Sequence, residues 1–397
     1  MPFVSVLEAG LLVFCVLELL ADGYPRMQKQ IFYLAFAFAF VWSTMKFAYG
    51  PDIVTYLPLY REIATPGQVM RQWGNLEYES AFMLFTSVCK SIGLSFWGYS
   101  AIISTMYFLT VFLFLKDINY YPTIALTALV CLDSNLFLIQ FRQCLAVVFF
   151  LLGVYCFIKK KHWLALLMLI VSICMHHSAI VILLICALIY SLTFLRTDYR
   201  MYALLILLFV SLLIIPFQSV LKDLFNNMAN VNSIFSSISI HIGTYNKFQK
   251  IGLIYVALII TLGYCTRPNS GDSKKHWIIW CLIAVIVLLY QQWLLLNRIR
   301  SYFLLPIIVY TCSQLELRRE GTQLVRQAFG ALILCFICFD SFVSVPRHVN
   351  SVDYPTERIC LITETRHINA NTLEERQYQN ARKYWQLDYR KHIDKTN

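Results

Sequence analysis

Apolar runs close to the ~20 residues that a helix needs to cross the hydrocarbon core follow one another along most of this 397-residue chain. By hydropathy they fall near 3–20, 30–48, 97–115, 120–136, 142–158, 163–179, 180–195, 201–216, 250–265, 277–296, 300–315 and 327–345. With 59% of residues apolar, 14% charged and a mean hydropathy of +0.62, the chain has more apolar surface than a soluble protein of this size can bury. The expected fold class is therefore an all-α polytopic membrane protein of about 11–13 transmembrane helices with extracytoplasmic loops. The uncertain run is 80–95, which is short and contains Lys90. The first run carries Glu8 and Glu18 and no basic region ahead of it, so it reads as a retained first span and not a cleaved leader.

The net charge of +11 does not indicate nucleic acid, because the Lys and Arg residues are scattered in short clusters between apolar runs. The thirteen cysteines read as small apolar residues and not as a disulfide framework. Cytoplasmic loops of membrane proteins collect Lys and Arg. With the N-terminus outside, the loops holding Arg26/Lys29, Lys116, Lys159–Lys161, Arg196/Arg200, Arg267/Lys274/Lys275 and Arg318/Arg319/Arg326 all face the cytoplasm. That orientation requires 80–95 not to cross fully. The expected organisation is a transmembrane body over 1–345, with long outward loops at 49–79 and 217–249, and a polar tail over 346–397. The tail opens its last stretch with a capping-box pattern, Thr372 and Glu375, and is expected to be partly helical.

Ionisable residues in and beside spans carry the information in such a chain, since lipid penalises them. Five clusters fall on the outward side in this orientation. Lys46 is followed by Gly50, Pro51, Asp52 and Tyr56; alone, these read as a snorkelling lysine and a turn. Glu77 and Glu79 open an apolar helix, where carboxylates suit the N-terminus. Arg142 and Gln143 stand at the mouth of an uncharged span, fitting either a phosphate ligand or an interfacial arginine. His176 and His177 lie between consecutive apolar runs, as a polar turn or as a general base or hydroxyl-orienting group. Arg298 and Arg300 occupy an expected helix–helix turn on the side where the topology rule disfavours cations. Lys46, Arg142, Arg298 and Arg300 together suit an anionic phosphate or diphosphate headgroup. No Asp-x-Asp pair occurs in the outward loops, so charge neutralisation by arginine without a metal or other cofactor is the expectation.

In this order the clusters resemble the EpsG-like family of polysaccharide polymerases, related in role to Wzy-type O-antigen and exopolysaccharide polymerases. The stretches that carry the resemblance are K-F-A-Y-G-P-D-I-V-T-Y from Lys46, E-S-A-F from Glu79, R-Q-C-L-A from Arg142, H-S-A from His177 and R-I-R-S-Y-F from Arg298. It covers most of residues 1–315 and lapses in the tail. Two departures stand out: the family usually has arginine at the place of Lys46, and Ser80-Ala81 replaces a Pro-Gly pair.

The resemblance implies a multi-pass protein of the bacterial cytoplasmic (inner) membrane, GT-C-like, with its active site facing the periplasm. Its substrates would be an undecaprenyl-diphosphate-linked glycan donor and an acceptor repeat unit on the same lipid. Membrane lipids and a separate chain-length regulator are the other partners implied; nucleic acid is not. On this reading Lys46, Arg142, Arg298 and Arg300 bind the diphosphate with Gln143 and His176 nearby, and Tyr56 and Tyr245 contact sugar. The base is one of His177, Asp52 and Glu79, with His177 first because its ordinary pKa lies near neutrality. A lipid-linked oligosaccharide flippase is the first competing reading, and an O-antigen ligase or membrane acyltransferase the second.

Overall fold

The computed structural model describes residues 3–46, 52–192 apart from 75, 77, 119 and 120, 293–317 and a few isolated positions. Every regular element among the described residues is helical. The chain divides into two compact units, Met1–Ala179 with Glu316–Asn397, and Ile180–Leu315.

In the first unit, α1 (Phe3–Leu20) and α2 (Pro25–Thr44) pack together and against α7 (Pro122–Leu138), while α6 (Phe96–Leu115) packs on α2, α7 and α8 (Phe141–Ile158). Proline at the first position of α2, where a missing N–H costs nothing, starts that helix at residue 25, ahead of the hydropathic run expected from 30. Helices α6 and α8, of 20 and 18 residues, are long and apolar enough to cross a membrane. The end of α1 positions α7: the buried Glu18 carboxylate accepts the backbone N–H groups of Thr123 and Ile124 at 2.8 and 3.0 Å. An acid there satisfies orphan donors at a helix start, which an apolar residue cannot do. At the other end α7 bends, with Asp133 at φ −136° and ψ 26°. A short connection then leads into α8.

Helix α9 (His162–Met175) folds back along α8 through a turn at Lys159–Lys161, with Lys160 at φ +60°. The Ser172 hydroxyl donates to the Ala146 carbonyl across this pair at 2.7 Å. Gly153 permits the close approach, since a Cβ there would lie 2.9 Å from Leu169 Cδ2 and 3.3 Å from the Ala165 carbonyl. Small residues at such crossings are how helices approach closely in membranes.

The stretch expected as the outward loop 49–79 contains two helices, α3 (Ile53–Glu62) and α4 (Pro66–Arg71). Both are short and mixed in polarity, and α3 carries Pro58 inside it, so neither leaves a hydropathic trace of spanning length. Helix α5 (Ser80–Ser91) has 12 residues, ~18 Å at 1.5 Å per residue, well short of the hydrocarbon core. It packs on α4, α6 and α9.

Helix α10 (Ser178–Leu192) follows α9, and α11 (Trp293–Leu317) belongs largely to the second unit. The turn expected at 297–299 is absent: α11 runs unbroken through Asn297, Arg298 and Arg300. Its polar residues are flanked by Trp293–Leu296 and Phe303–Leu305, which keep a single helix going where hydropathy dips. The runs expected at 201–216, 250–265, 327–345 and most of 277–296, the loop 217–249 and nearly all of the tail lie outside the described residues.

Gly153→Leu should force α8 and α9 apart and destabilise the protein by roughly 1–3 kcal/mol, the usual cost of overpacking. Thermal melting in detergent would show this as a lower midpoint, whereas Gly67→Ala, with nothing within 4 Å of the added Cβ, should melt near wild type.

Candidate active site

Three segments far apart in sequence meet at one carboxylate. Glu79 is the N-cap of α5, extended at φ −54° and ψ 128°, so its side chain leaves the helix start sideways. Arg142 is the second residue of α8. His176 ends α9 in an extended conformation, φ −161° and ψ 127°, and His177 leads into α10. The Arg142 Nη1 donates to Glu79 Oε2 at 3.0 Å, and His176 Nδ1 lies 2.6 Å from Oε1. The His177 backbone N–H reaches the same Oε1 at 3.4 Å, with its Nδ1 at 3.5 Å.

The four side chains differ sharply in access. Glu79 and His176 are 8% and 11% exposed, Arg142 is 25% exposed, and His177 is 55% exposed. Burial alone would raise the Glu79 carboxyl, but its hydrogen bond with His176 and the charge of Arg142 outweigh it. The carboxyl is held well below the usual carboxylate range. A carboxyl held this low is better suited to a counterion or orienting acceptor than to a proton acceptor near neutral pH.

Arg142 is fixed on more than one side. Its guanidinium lies over the Tyr78 ring at 4.5 Å, and its Nε is 3.5 Å from the Tyr56 hydroxyl. Tyr56 comes from α3 and stacks on Phe141, centroids 5.0 Å apart and planes 22° apart. Burial pushes the Tyr56 phenol above its ordinary value against the opposing influence of Arg142, so it stays protonated. A planar guanidinium has five donors. Among the described residues, Glu79 and Tyr56 engage two of them.

Beside this cluster a cavity is lined by Lys46, Asp52, Tyr56, Phe96, Trp97, Ser100 and Phe141, among others. It has room for about one water molecule. Asp52 lies here, at the start of α3, where its carbonyl accepts the N–H groups of Thr55 and Tyr56. Tyr56 is common to the cavity and the Arg142 cluster. Lys46, expected at a water-facing span end, is 3% exposed. Its ammonium donates to Ser104 Oγ at 2.9 Å and to the Phe137 carbonyl, and lies 5.0 Å from the Phe141 ring centroid.

Of the remaining expected site residues, Gln143 is buried in the first turn of α8, and Tyr245 lies outside the described residues. Arg298 and Arg300 are half-buried, two residues apart within α11 of the second unit. Sequence reasoning passed over Tyr78, Phe141 and Ser104. Tyr78 had a visible signal, an aromatic residue between the two acids Glu77 and Glu79; Ser104 had none. Among the described residues no group of three or more His, Cys, Asp and Glu side chains is arranged to hold a metal ion.

Two membrane-length apolar helices are consistent with a membrane protein, and the Arg–Glu–His cluster gathers polar groups at the joints between helices; the class, that of polysaccharide polymerase-like membrane proteins, comes from comparison with known families. The EpsG family model matches residues 31–354, and the chain belongs to the EpsG family. No curated protein and no solved structure matches the chain. The cluster of Glu79, Arg142 and His176 falls inside the matched range.

Because folded Glu79 is held below the ~4.3 of a free glutamate, its contribution to stability is complete above about pH 5 and is lost as pH falls below about 4. Glu79→Gln should therefore melt well below wild type at pH 7, on the order of 3 kcal/mol less stable for a broken buried pair. The gap should narrow as both are titrated toward pH 3, closing fully only where the folded carboxyl itself protonates. Melting midpoints in detergent across that range check this; a gap that persists unchanged at pH 3 would mean that Glu79 carries no such coupling.

Proposed function

We propose that this protein polymerises undecaprenyl-diphosphate-linked oligosaccharide repeat units, for O-antigen or exopolysaccharide, at the outer face of the bacterial inner membrane. The acceptor hydroxyl attacks the anomeric carbon of the donor glycan, the bond from that carbon to the diphosphate oxygen breaks, and undecaprenyl diphosphate departs. The observation that carries the reading is the shared carboxylate, which joins a phosphate-type cation and an imidazole in one place.

The geometry supports each role. Arg142, locked by Glu79, Tyr56 and Tyr78, offers its remaining edge to the departing diphosphate, and a preorganised cation is worth most where charge develops. His176 has Nδ1 tied to Glu79, which leaves Nε2 as the atom to accept the hydroxyl proton, the same division of labour as in a carboxylate–imidazole dyad. His177, far more exposed, and Asp52 in the neighbouring cavity serve acceptor placement. Tyr56 and Trp97 give the sugar aromatic surface. An all-α body of about 11–13 spans arranged in a GT-C-like way would let the polyprenyl tails lie along the helices while the reacting groups meet at their outer ends. A flippase is the less favoured reading, since it would distribute its cations on both sides of the midplane.

Arg142→Ala should abolish long-chain surface polysaccharide, with a loss of turnover on the order of 10²–10³-fold, while single lipid-linked repeat units remain exposed on the outer face. Gel electrophoresis of surface polysaccharide, with extraction of the lipid-linked pool, measures both. Long chains of normal length would remove Arg142 from the reaction, and accumulation on the inner face would favour the transporter.

A further inference from the structure

We propose that Lys46 is a positioning residue that fixes the mouth of α8 beneath Arg142, and is not a ligand of the diphosphate. The proposal rests on the role given to Arg142 above.

The surroundings of the ammonium carry the argument. Phe137 lies in the last turn of α7, which ends at Leu138. Carbonyls there lack intrahelical partners and form the negative end of the helix dipole. The Phe137 carbonyl accepts from Lys46 Nζ and, at 3.1 Å, from Ser104 Oγ, while that hydroxyl also accepts from Lys46 at 2.9 Å. The three groups close a small polar network between the end of α2, the middle of α6 and the end of α7. Among the described residues no carboxylate lies within ion-pair distance of the ammonium. A buried cation without a carboxylate is costly to keep, and here it holds the end of α7 in register with α6.

What that register controls lies directly downstream. The connection from α7 to α8 is only Ile139 and Gln140, so fixing Phe137 fixes the start of α8. The ammonium also lies over the ring of Phe141, the first residue of α8. Phe141 stacks on Tyr56, whose hydroxyl meets Arg142. Lys46 thus reaches Arg142 through two routes, the α7 terminus and the Phe141–Tyr56 pair. The ammonium is itself enclosed, Lys46 being 3% exposed, which keeps it from the surface a diphosphate would approach. An arginine placed on a shifted α8 would miss the departing oxygen, and misplacement by about 1 Å can lower turnover ~100-fold.

The test compares purified wild type, Lys46→Met, Lys46→Arg, Ser104→Ala and Arg142→Gln in nanodiscs. Two readouts are taken: elongation kinetics on lipid-linked repeat units extracted from a strain lacking this protein, and binding of inorganic pyrophosphate. Lys46→Met should lower kcat about 10–100-fold with KM and pyrophosphate affinity within about 3-fold of wild type. Lys46→Arg, which keeps the donors, should recover most of kcat. Ser104→Ala should lower kcat in the same sense and more mildly, and decides the matter if Lys46→Met does not fold. Arg142→Gln should instead lose about 10-fold or more in pyrophosphate affinity. A matching loss in Lys46→Met, or an unchanged kcat in both Lys46→Met and Ser104→Ala, would overturn the proposal. Failure of folded wild type to elongate the repeat units would instead overturn the polymerase reading, and the pyrophosphate comparison would still decide whether Lys46 is a ligand.

Discussion

The Glu79 carboxylate is the interaction on which the rest of the site depends. It accepts from Arg142 at the start of α8 and lies within hydrogen-bond distance of His176 at the end of α9, and its own backbone caps α5. Three helix termini are thereby held at one point. Helix ends carry orphan N–H and C=O groups and the charge of the dipole, so a cluster built from them concentrates polar chemistry in an otherwise apolar body. Removing the carboxylate would leave a half-buried guanidinium and imidazole without their shared acceptor.

The packing beneath the cluster serves its placement. Glu18 caps the start of α7, Lys46 and Ser104 take up the carbonyl near its end, and a short connection delivers Arg142. Gly153 and the Ser172–Ala146 hydrogen bond bring α9 against α8, which sets the distance from Arg142 to His176. Two buried side chains usually suspect in lipid, Glu18 and Lys46, act on the two ends of a single helix.

Much of this was legible in the amino-acid sequence, and what was not has a physical cause. Helix α6, α8 and the pair α9–α10 follow the apolar runs closely, because ~20-residue hydrophobicity is dictated by the bilayer. Glu79, Arg142 and the histidines stood out individually as ionisable groups beside spans. Their union did not, since it bridges 63 and 97 residues and depends on how helices pack. Lys46 resembled a snorkelling lysine because nothing local reveals that Ser104 and the end of α7 open a polar niche for it. The turn expected before Arg300 failed for a different reason: two arginines lower hydropathy without breaking a helix, as arginine is a good helix former. Helices α3 and α4 escaped because amphipathic elements of ten and six residues leave too short a periodicity to register.

The proposed reaction is glycosyl transfer between lipid-linked repeat units at one carboxylate-centred cluster. Its most direct measurement is the product pattern of the purified protein in nanodiscs supplied with lipid-linked repeat units alone. Such a reaction yields a ladder of longer lipid-linked glycans, with one undecaprenyl diphosphate released for each unit added, and no ladder when Glu79 is replaced by alanine. Folded wild-type protein that leaves the units at their starting length, or a Glu79→Ala ladder indistinguishable from wild type, would contradict it.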